Sequence, residues 1–130
     1  MVGIVIVSHS KNVAEGVREL ALQMAGEHKK IIACGGMEDG SIGTDTVLIM
    51  DAIKEANDGD GVCVLCDLGS AILSTQTALD LLDEPIKAVV ADAPILEGAI
   101  SCAIPASFGA SLEDVVQAAE KARGTSKFGR

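Results

Sequence analysis

The chain has 130 residues, of which 48 % are apolar, and its 19 acidic and 10 basic side chains give a formal net charge of -9 with the histidines neutral. Nucleic-acid binding requires a positive surface, and base stacking requires aromatic side chains. The acidic balance, with Phe108 and Phe128 as the only Phe, Tyr or Trp residues, argues against a nucleic-acid partner. A chain of this length buries a sufficient core without a disulfide or a metal ion, so we expect one domain over residues 1–130.

The sequence shows no sign of export or membrane insertion. The apolar run Val2–Val7 is too short for the core of a signal peptide or for a membrane span. Four cysteines without an export signal favour reduced thiols in the cytoplasm over a disulfide framework; they are Cys34, Cys63, Cys66 and Cys102. Cys63 and Cys66 are three residues apart in a predicted strand and point to opposite faces, so we interpret these thiols as core residues. We expect a cytoplasmic protein without a membrane partner.

Short β-branched runs alternate with longer amphipathic runs, which is typical of a parallel sheet covered by helices on both faces. The predicted strands, in chain order, cover residues 2–8, 30–34, 61–66 and 86–91. The helices that follow them are predicted from 11 to 26, from 44 or 45 to 57, from about 71 to before Pro85, and from 94 to 108, with a fifth helix beginning after Ser111.

Apolar residues at helical spacing predict the buried faces of the first three helices. These residues are Val13, Val17, Leu20 and Met24 in the first helix, Ile49, Ile53 and Ala56 in the second, and Ile72, Leu79 and Leu82 in the third. Pro105 is expected to kink or end the fourth helix.

Four strands joined by right-handed crossovers predict a flavodoxin-like α/β fold, a three-layer sandwich whose parallel four-stranded sheet has the order 2-1-3-4. In this order the first and third strands are neighbours, and their following helices lie on opposite faces. A crevice therefore opens at the carboxyl ends of these two strands. The segments Ser8-His9-Ser10 and Asp67-Leu68-Gly69-Ser70 lie there, which makes them the candidate site.

His9 and Asp67 are the candidate catalytic pair. His9 lies at a strand-to-helix turn, where the N–H groups of Ser10 and the next residues are predicted to be free to face an anion, although a histidine here can also be a plain neighbour of a helix cap. A carboxylate of Asp67 that accepts one ring N–H would fix the tautomer and leave the other nitrogen as a nucleophile. Asp67 can instead, or in addition, cap the third helix. His28, among charged neighbours, is predicted to be a solvated surface residue.

Hydroxyls and N–H groups near the crevice are candidate phosphate-binding groups. They belong to Ser10, Thr44, Gly69 and Ser70. Thr44 and Ser70 can equally be plain N-caps of their helices. The chain lacks a P-loop, a dinucleotide-binding glycine motif after a strand and a G-x-S-x-G elbow, so nucleotide binding and serine hydrolysis are disfavoured. No further His or Cys lies near His9 in the sequence, and no metal site or cofactor is expected.

Four segments together resemble a known family. They are Val5-Ile6-Val7-Ser8-His9-Ser10, the loop from Gly35-Gly36 through Ile42-Gly43-Thr44-Asp45, Asp67-Leu68-Gly69-Ser70-Ala71, and Ala93-Pro94-Ile95-Leu96-Glu97-Gly98. They look like the phosphotransfer subunits of phosphoenolpyruvate-dependent dihydroxyacetone kinases, which begin with a domain similar to the IIA domains of mannose-type sugar phosphotransferase systems (PTS EIIA type 4). Mannose-type domains have a sequence like Asp-Thr-Trp-Gly-Gly-Ser where this chain has the shorter Asp67-Leu-Gly-Ser, which favours the dihydroxyacetone branch.

The resemblance implies a phosphoryl relay. His9 would be the phosphorylated residue and Asp67 the carboxylate that supports it. The domain would take phosphate from the phosphocarrier HPr and give it to ADP held on the DhaL subunit, which phosphorylates dihydroxyacetone bound to DhaK. Because the chain ends at Arg130, we expect its upstream donors to be separate proteins. Two alternatives stay open: an EIIA component of a mannose-type sugar transporter, and a non-catalytic anion-binding module.

The same resemblance, together with the apolar pattern, predicts two contact surfaces. Gly36, Met37 and Leu68 on the crevice rim are expected to contact the phosphotransfer partners, although the glycine-rich loop can also be a mobile connection without contacts. The fourth helix carries more than one apolar stripe between Pro94 and Ile104, so its surplus is buried either by the last helix or by a second copy in a homodimer.

Overall fold

The computed structural model describes residues 1–26, 28 and 30–129, and it confirms the order of the predicted elements. The strands are β1 (Gly3–Ser8), β2 (Ile31–Gly35), β3 (Val62–Cys66) and β4 (Ala88–Val90). The helices are α1 (Lys11–Ala25), α2 (Thr46–Ala56), α3 (Gly69–Leu81), α4 (Ile95–Ser107) and α5 (Leu112–Lys121), followed by a short 3₁₀ turn (Ala122–Gly124).

The sheet has the order β2-β1-β3-β4, and all its pairings are parallel, which confirms the predicted flavodoxin-like topology. β1 and β3 occupy the centre and are buried along their whole length, because helices cover both faces of the sheet. Ile4 and Ile6 pack towards the layer of α1, α4 and α5, whereas Val5 and Val7 pack towards the layer of α2 and α3.

The buried face of α1 differs from the predicted one. Of the four predicted residues only Val17 is buried, and it is joined by alanines at positions 14, 21 and 25. Val13, Leu20 and Met24 are 46 %, 49 % and 55 % exposed. Two helical stripes compete on this helix, and α1 packs against β1, β2 and α4 together. Small side chains allow that close approach, so the alanine stripe faces inward.

The other helices follow the prediction in part. Ile49, Ile53 and Ala56 of α2 are buried as expected. On α3 the buried residues are small, namely Ala71, Thr75 and Ala78, while Ile72 is 38 % exposed. Leu79 and Leu82 are partly buried against the core.

α4 and α5 pack closely together, and this contact covers much of the apolar surplus of α4. Ala99 and Ala103 are fully buried, while Ile104 remains 40 % exposed. Pro105 lies in the last turn, and the helix ends two residues later at Ser107. The Ser111 hydroxyl accepts the N–H of Asp114, which confirms the predicted cap of α5.

His28 is buried, and the prediction of a solvated surface residue is wrong. It is 2 % exposed and lies between α1 and β2, at the amino-terminal end of the sheet. Its Nε2 bonds to the Val2 carbonyl at 2.8 Å, and its Nδ1 accepts the Lys30 N–H at 3.1 Å. Both ring nitrogens therefore tie the start of β1 to the approach to β2. Burial lowers the pKa of His28, outweighing the hydrogen bond to the Val2 carbonyl.

The four cysteines are free, as predicted, and all are buried, which confirms the predicted core position of Cys63 and Cys66. Cys63 and Cys102 belong to the layer of α1, α4 and α5, and Cys34 and Cys66 to the layer of α2 and α3. Within the described residues, no helix combines the length and apolar character needed to cross a bilayer.

Candidate functional site

The carboxyl ends of β1, β2 and β3 bring the candidate segments together. The Asp67 N–H donates to the Val7 carbonyl at 3.1 Å, and the Gly36 N–H donates to the Ser8 carbonyl at 3.2 Å. These bonds continue the sheet pairing by one residue beyond the strands. A Cβ at Gly35 would lie 2.5 Å from the Ser10 carbonyl oxygen, so only glycine allows β2 to end this close to the start of α1.

His9 and Asp67 face each other across the crevice. The His9 Nδ1 and the Asp67 Oδ1 are 2.9 Å apart. An ionised carboxylate only accepts hydrogen bonds, so the ring proton lies on Nδ1 and Nε2 carries the lone pair. The two side chains are 20 % and 18 % exposed, which leaves the ring accessible from outside. The arrangement provides an oriented, accessible imidazole whose Nε2 has the chemistry of a nucleophile.

The Asp67 carboxylate is held by more than the imidazole. Its Oδ1 also accepts the Leu68 N–H at 2.8 Å, and its Oδ2 accepts the Ser8 hydroxyl at 2.8 Å and the His9 N–H at 3.1 Å. Burial raises the pKa of Asp67, but the hydrogen bonds from His9, Ser8 and Leu68 outweigh it and hold the pKa below its ordinary value. Asp67 is therefore an ionised acceptor.

Asp67 does not occupy the N-cap position of α3. That position belongs to Leu68, which offers no side-chain oxygen. Gly69 and Ser70 form the start of the helix, where N–H groups lack an acceptor within the helix. The Ser70 hydroxyl contacts the His9 Nε2. The amino-terminal end of α3 thus adjoins the ring nitrogen that carries the lone pair, which is the place where an anion attached to Nε2 would lie.

The other two candidate phosphate-binding residues have different partners. The Ser10 N–H donates to the Ser8 hydroxyl at 3.0 Å, so the expectation of a free N–H there is wrong. The Ser10 hydroxyl caps α1 by accepting the Val13 N–H. The Thr44 hydroxyl bonds to the Ser74 hydroxyl at 2.8 Å and links the loop before α2 to α3. Asp45 rather than Thr44 is the N-cap of α2.

The predicted docking residues differ in their accessibility. Leu68 is 60 % exposed and Met37 is 37 % exposed. Gly36 is buried, with a φ of 73°. The expectation that all three residues present a surface to partners is therefore wrong for Gly36. The Met37 side chain lies over Gly43, whose N–H donates to the His9 carbonyl at 2.9 Å. The loop therefore contributes Met37 to the rim of the crevice.

Ser8 is a site residue that the sequence pattern did not single out. It lies within the quoted Ser8-His9-Ser10 segment, yet a serine at the end of a buried strand carries no signal of its own. Because strand residues alternate, its position after Val7 indicates only that its side chain faces the opposite side of the sheet from Val7. That pattern does not predict the hydrogen bond to Asp67.

Comparison with known proteins identifies the family to which the chain is similar. Residues 3–116 match the family model EIIA-man, described as the PTS system fructose IIA component. A Providencia stuartii protein, the phosphoryl donor subunit DhaM of PEP-dependent dihydroxyacetone kinase, is 44 % identical over 94 % of this chain. This chain spans only 27 % of the length of that relative.

Two further similarities cover nearly the whole of both chains. A Listeria innocua protein named as the phosphoryl donor subunit DhaM of PEP-dependent dihydroxyacetone kinase 2 is 40 % identical, over 90 % of this chain and 95 % of its own length. The crystal structure of EF1359, a protein of unknown function, is 36 % identical, covers 98 % of each chain and superposes with a TM-score of 0.82. The match over residues 3–116 and these identities show that the chain belongs to the EIIA-man family of phosphotransferase system IIA components.

Proposed function

We propose that the protein is a phosphoryl relay that accepts phosphate from phospho-HPr on His9 and passes it to ADP bound on the DhaL subunit of a dihydroxyacetone kinase, upstream of DhaK. One observation carries the proposal: the 2.9 Å bond between His9 Nδ1 and Asp67 Oδ1, which leaves Nε2 as the nucleophile. The names of the relatives support the acceptor, because they are phosphoryl donor subunits of PEP-dependent dihydroxyacetone kinases.

Uptake is an in-line displacement at phosphorus. The Nε2 lone pair forms the new N–P bond while the bond from phosphorus to the donor atom of HPr breaks. The Nδ1 proton stays on the ring, and the Asp67 carboxylate stabilises the positive charge that the ring acquires. The charge on the peripheral oxygens faces the N–H groups of Gly69 and Ser70 at the start of α3. The Ser70 hydroxyl rotates from Nε2 onto one of these oxygens.

Release reverses this chemistry onto a different acceptor. A β-phosphate oxygen of ADP attacks phosphorus, and Nε2 leaves with its electron pair as a neutral imidazole. Neutral donors at the start of α3 stabilise the phosphoryl group without a strong ion pair, which keeps it transferable. Ser10 and Thr44, whose hydroxyls bond elsewhere, have no assigned part in this step.

Phosphoryl uptake is tested by incubation with phosphoenolpyruvate, enzyme I and HPr, followed by mass spectrometry. The parent protein gains one acid-labile phosphoryl group, and His9→Ala gains none while keeping its circular dichroism spectrum. His28→Gln removes the other histidine and retains uptake. A folded His9→Ala variant that still takes up phosphate would place the nucleophile elsewhere. A parent that gains no mass would support an anion-binding module instead.

A sugar-transport function is the second candidate, and the family description as a PTS fructose IIA component favours it. The two functions differ in the acceptor. Phosphorylated protein is offered to DhaL–ADP and, separately, to a IIB domain of a mannose-type transporter. Transfer of label to DhaL–ADP alone supports the relay to dihydroxyacetone kinase, and transfer to the IIB domain alone overturns it.

The proposed setting is the cytoplasm, where the phosphocarrier and the kinase subunits meet, and the proposed assembly is a homodimer. Apolar side chains that remain exposed on neighbouring α1 and α4 are the surface available for it, with Leu20, Met24 and Ile104 between 40 % and 55 % exposed. Light scattering at micromolar concentrations measures the mass, and a monomeric mass across that range refutes the dimer.

A further inference from the structure

Ser8 is the last residue of β1 and lies directly behind the His9–Asp67 pair. It is 1 % exposed. Its hydroxyl donates to Asp67 Oδ2 at 2.8 Å and accepts the Ser10 N–H at 3.0 Å. Its carbonyl accepts the Gly36 N–H, so the backbone is fixed by the end of β2 as well. A buried hydroxyl with both its donor and an acceptor position used has one orientation available.

The hydroxyl acts on the oxygen of Asp67 that the imidazole does not use. Oδ1 accepts the His9 ring and the Leu68 N–H, and Oδ2 accepts the Ser8 hydroxyl and the His9 N–H. A carboxylate held at both oxygens cannot turn about its terminal bond without breaking one of these contacts. The direction of Oδ1, and with it the orientation of the ring, therefore depends on both donors to Oδ2, and the Ser8 hydroxyl is the shorter of the two bonds.

We infer that Ser8 is a positioning residue for phosphoryl transfer: its hydroxyl fixes the Asp67 carboxylate in the orientation that accepts the His9 Nδ1 proton and leaves Nε2 free to react. This inference rests on the proposed function. The Ser10 N–H, at the start of α1, polarises the Ser8 hydroxyl and strengthens its bond to Oδ2. The chain of bonds from Ser10 through Ser8 to Asp67 connects the amino-terminal end of α1 to the reacting histidine.

Kinetics of uptake separate a positioning role from a purely structural one. In Ser8→Ala we expect the limiting rate of phosphoryl uptake from phospho-HPr to fall about tenfold, with the half-saturating concentration of HPr unchanged. Ser8→Thr keeps the hydroxyl and restores the rate. Thr75→Val is the matched control, because it removes another buried hydroxyl, which bonds to the Ala71 carbonyl and contacts the Cys66 Sγ but not the side chain of His9 or Asp67. Its rate remains that of the parent.

Nuclear magnetic resonance supplies the readouts that a structural role would not move. The ¹⁵N shifts of the His9 ring report the share of the Nδ1–H tautomer, which falls in Ser8→Ala. A ¹³C titration of the Asp67 carboxyl shows its pKa rising towards the ordinary value, because one hydrogen bond to the ionised form is lost. Neither quantity changes in Thr75→Val.

The outcomes distinguish this inference from the proposed function. If the parent takes up no phosphate, the relay fails, and the tautomer and titration still decide whether Ser8 orients the pair. If the parent is active and a folded Ser8→Ala matches it in rate, tautomer and titration, the inference is overturned and the relay stands. Should Ser8→Ala not fold, Ser8→Cys fills the same space with a weaker donor, and its rate is expected between those of the parent and the tenfold loss; a parental rate overturns the inference.

Discussion

Among the four hydrogen bonds that the Asp67 carboxylate accepts, the one from the His9 ring matters most for the proposed chemistry. Its carboxylate accepts the His9 ring together with the Ser8 hydroxyl and two backbone N–H groups. We expect Asp67→Ala to slow phosphoryl uptake by about 10²- to 10⁴-fold, because the ring loses the partner that selects its tautomer. Rapid-quench measurement of uptake from phospho-HPr checks this.

Asp45→Ala is the control for that change. It removes another carboxylate that accepts backbone N–H groups, but at the start of α2, so it costs helix stability without touching the imidazole. An Asp67→Ala protein as fast as Asp45→Ala would reduce Asp67 to a loop-ordering residue.

Buried His28 makes the stability of the fold depend on pH. Burial lowers its pKa below the ordinary 6.5, so below that pH the unfolded chain binds more protons than the folded one. The contribution of His28 to the free energy of unfolding is complete above pH 6.5 and is lost as the pH falls, by at most about 1.4 kcal/mol per pH unit. Urea unfolding at several pH values between 7.5 and 5 should show a shallower decline in His28→Gln than in the parent. Equal slopes would contradict it.

At the level of single residues, the sequence identified His9 and Asp67 as a facing pair but did not identify the residues that support them. The position of His9 and Asp67 after neighbouring strands follows from topology alone, which local patterns predict well. The burial of His28 and the bond from Ser8 to Asp67 depend on side-chain packing between distant segments. A charged neighbourhood in the sequence led to the wrong environment for His28, because the ring bonds to the Val2 carbonyl and to the backbone N–H of Lys30, and these contacts do not follow from the charges of nearby residues.

Among the elements, α1 depends on a close approach at its amino-terminal end. A Cβ at Gly35 would lie 2.5 Å from the Ser10 carbonyl oxygen and 2.8 Å from the Lys11 Cα, so the backbone would have to move. We expect Gly35→Ala to lower the free energy of unfolding by about 1–3 kcal/mol and to slow phosphoryl uptake, because His9 lies just before this contact. Urea titration and the uptake assay measure the two effects.

Gly16→Ala is the matched substitution. Gly16 lies inside α1, and among the described residues no atom beyond its chain neighbours and the adjoining helix backbone lies within 4 Å of an added Cβ. Alanine there should raise the free energy of unfolding by about 0.5–1 kcal/mol and leave uptake unchanged. If Gly35→Ala and Gly16→Ala lower the free energy of unfolding to the same extent, the loss in Gly35→Ala does not come from the close approach at Gly35.

The helices also show a case in which hydrophobic periodicity does not predict the buried face. The order of strands and helices was predicted, and their bounds differ from the prediction by a few residues. The inward face of α1 was not predicted, because Val13, Leu20 and Met24 recur at the same helical spacing as the alanines that are buried. Choosing between two such stripes requires knowing how closely the helix approaches the sheet and α4, which the local pattern does not contain.

In the whole molecule, the accessible rim of the crevice is the proposed surface for both phosphotransfer partners. Leu68 directly follows Asp67, and Met37 lies over Gly43, whose N–H bonds to the His9 carbonyl. Leu68→Asp and Met37→Asp should therefore each slow HPr-dependent uptake and transfer to DhaL–ADP about tenfold. A carboxylate at either position would be desolvated on docking and would repel the incoming phosphate. Single-turnover rates of both half-reactions provide the measurement.

Leu81→Asp provides the control at the opposite end of α3. Leu81 is 58 % exposed and Leu68 is 60 % exposed, so the two substitutions differ in place and hardly in exposure. Leu81→Asp should leave both half-reactions at parental rates. If Leu68→Asp and Met37→Asp behave like Leu81→Asp, the partners dock on another surface.

The distribution of the buried thiols gives the molecule a separate chemical reporter for each of its two helical layers. Cys63 and Cys102 are fully buried beneath α1, α4 and α5, while Cys34 and Cys66, beneath α2 and α3, are 9 % and 8 % exposed. Burial also raises the pKa of the Cys34 thiol to about 11, which suppresses its thiolate in the closed state. Alkylation of Cys63 and Cys102 therefore requires transient opening, and burial slows that of Cys34 and Cys66 until their layer opens. Pulsed alkylation with mass mapping would show whether the layer of α2 and α3 opens more often than the layer of α1, α4 and α5. Equal rates in the two layers would indicate that the domain opens as a single cooperative unit.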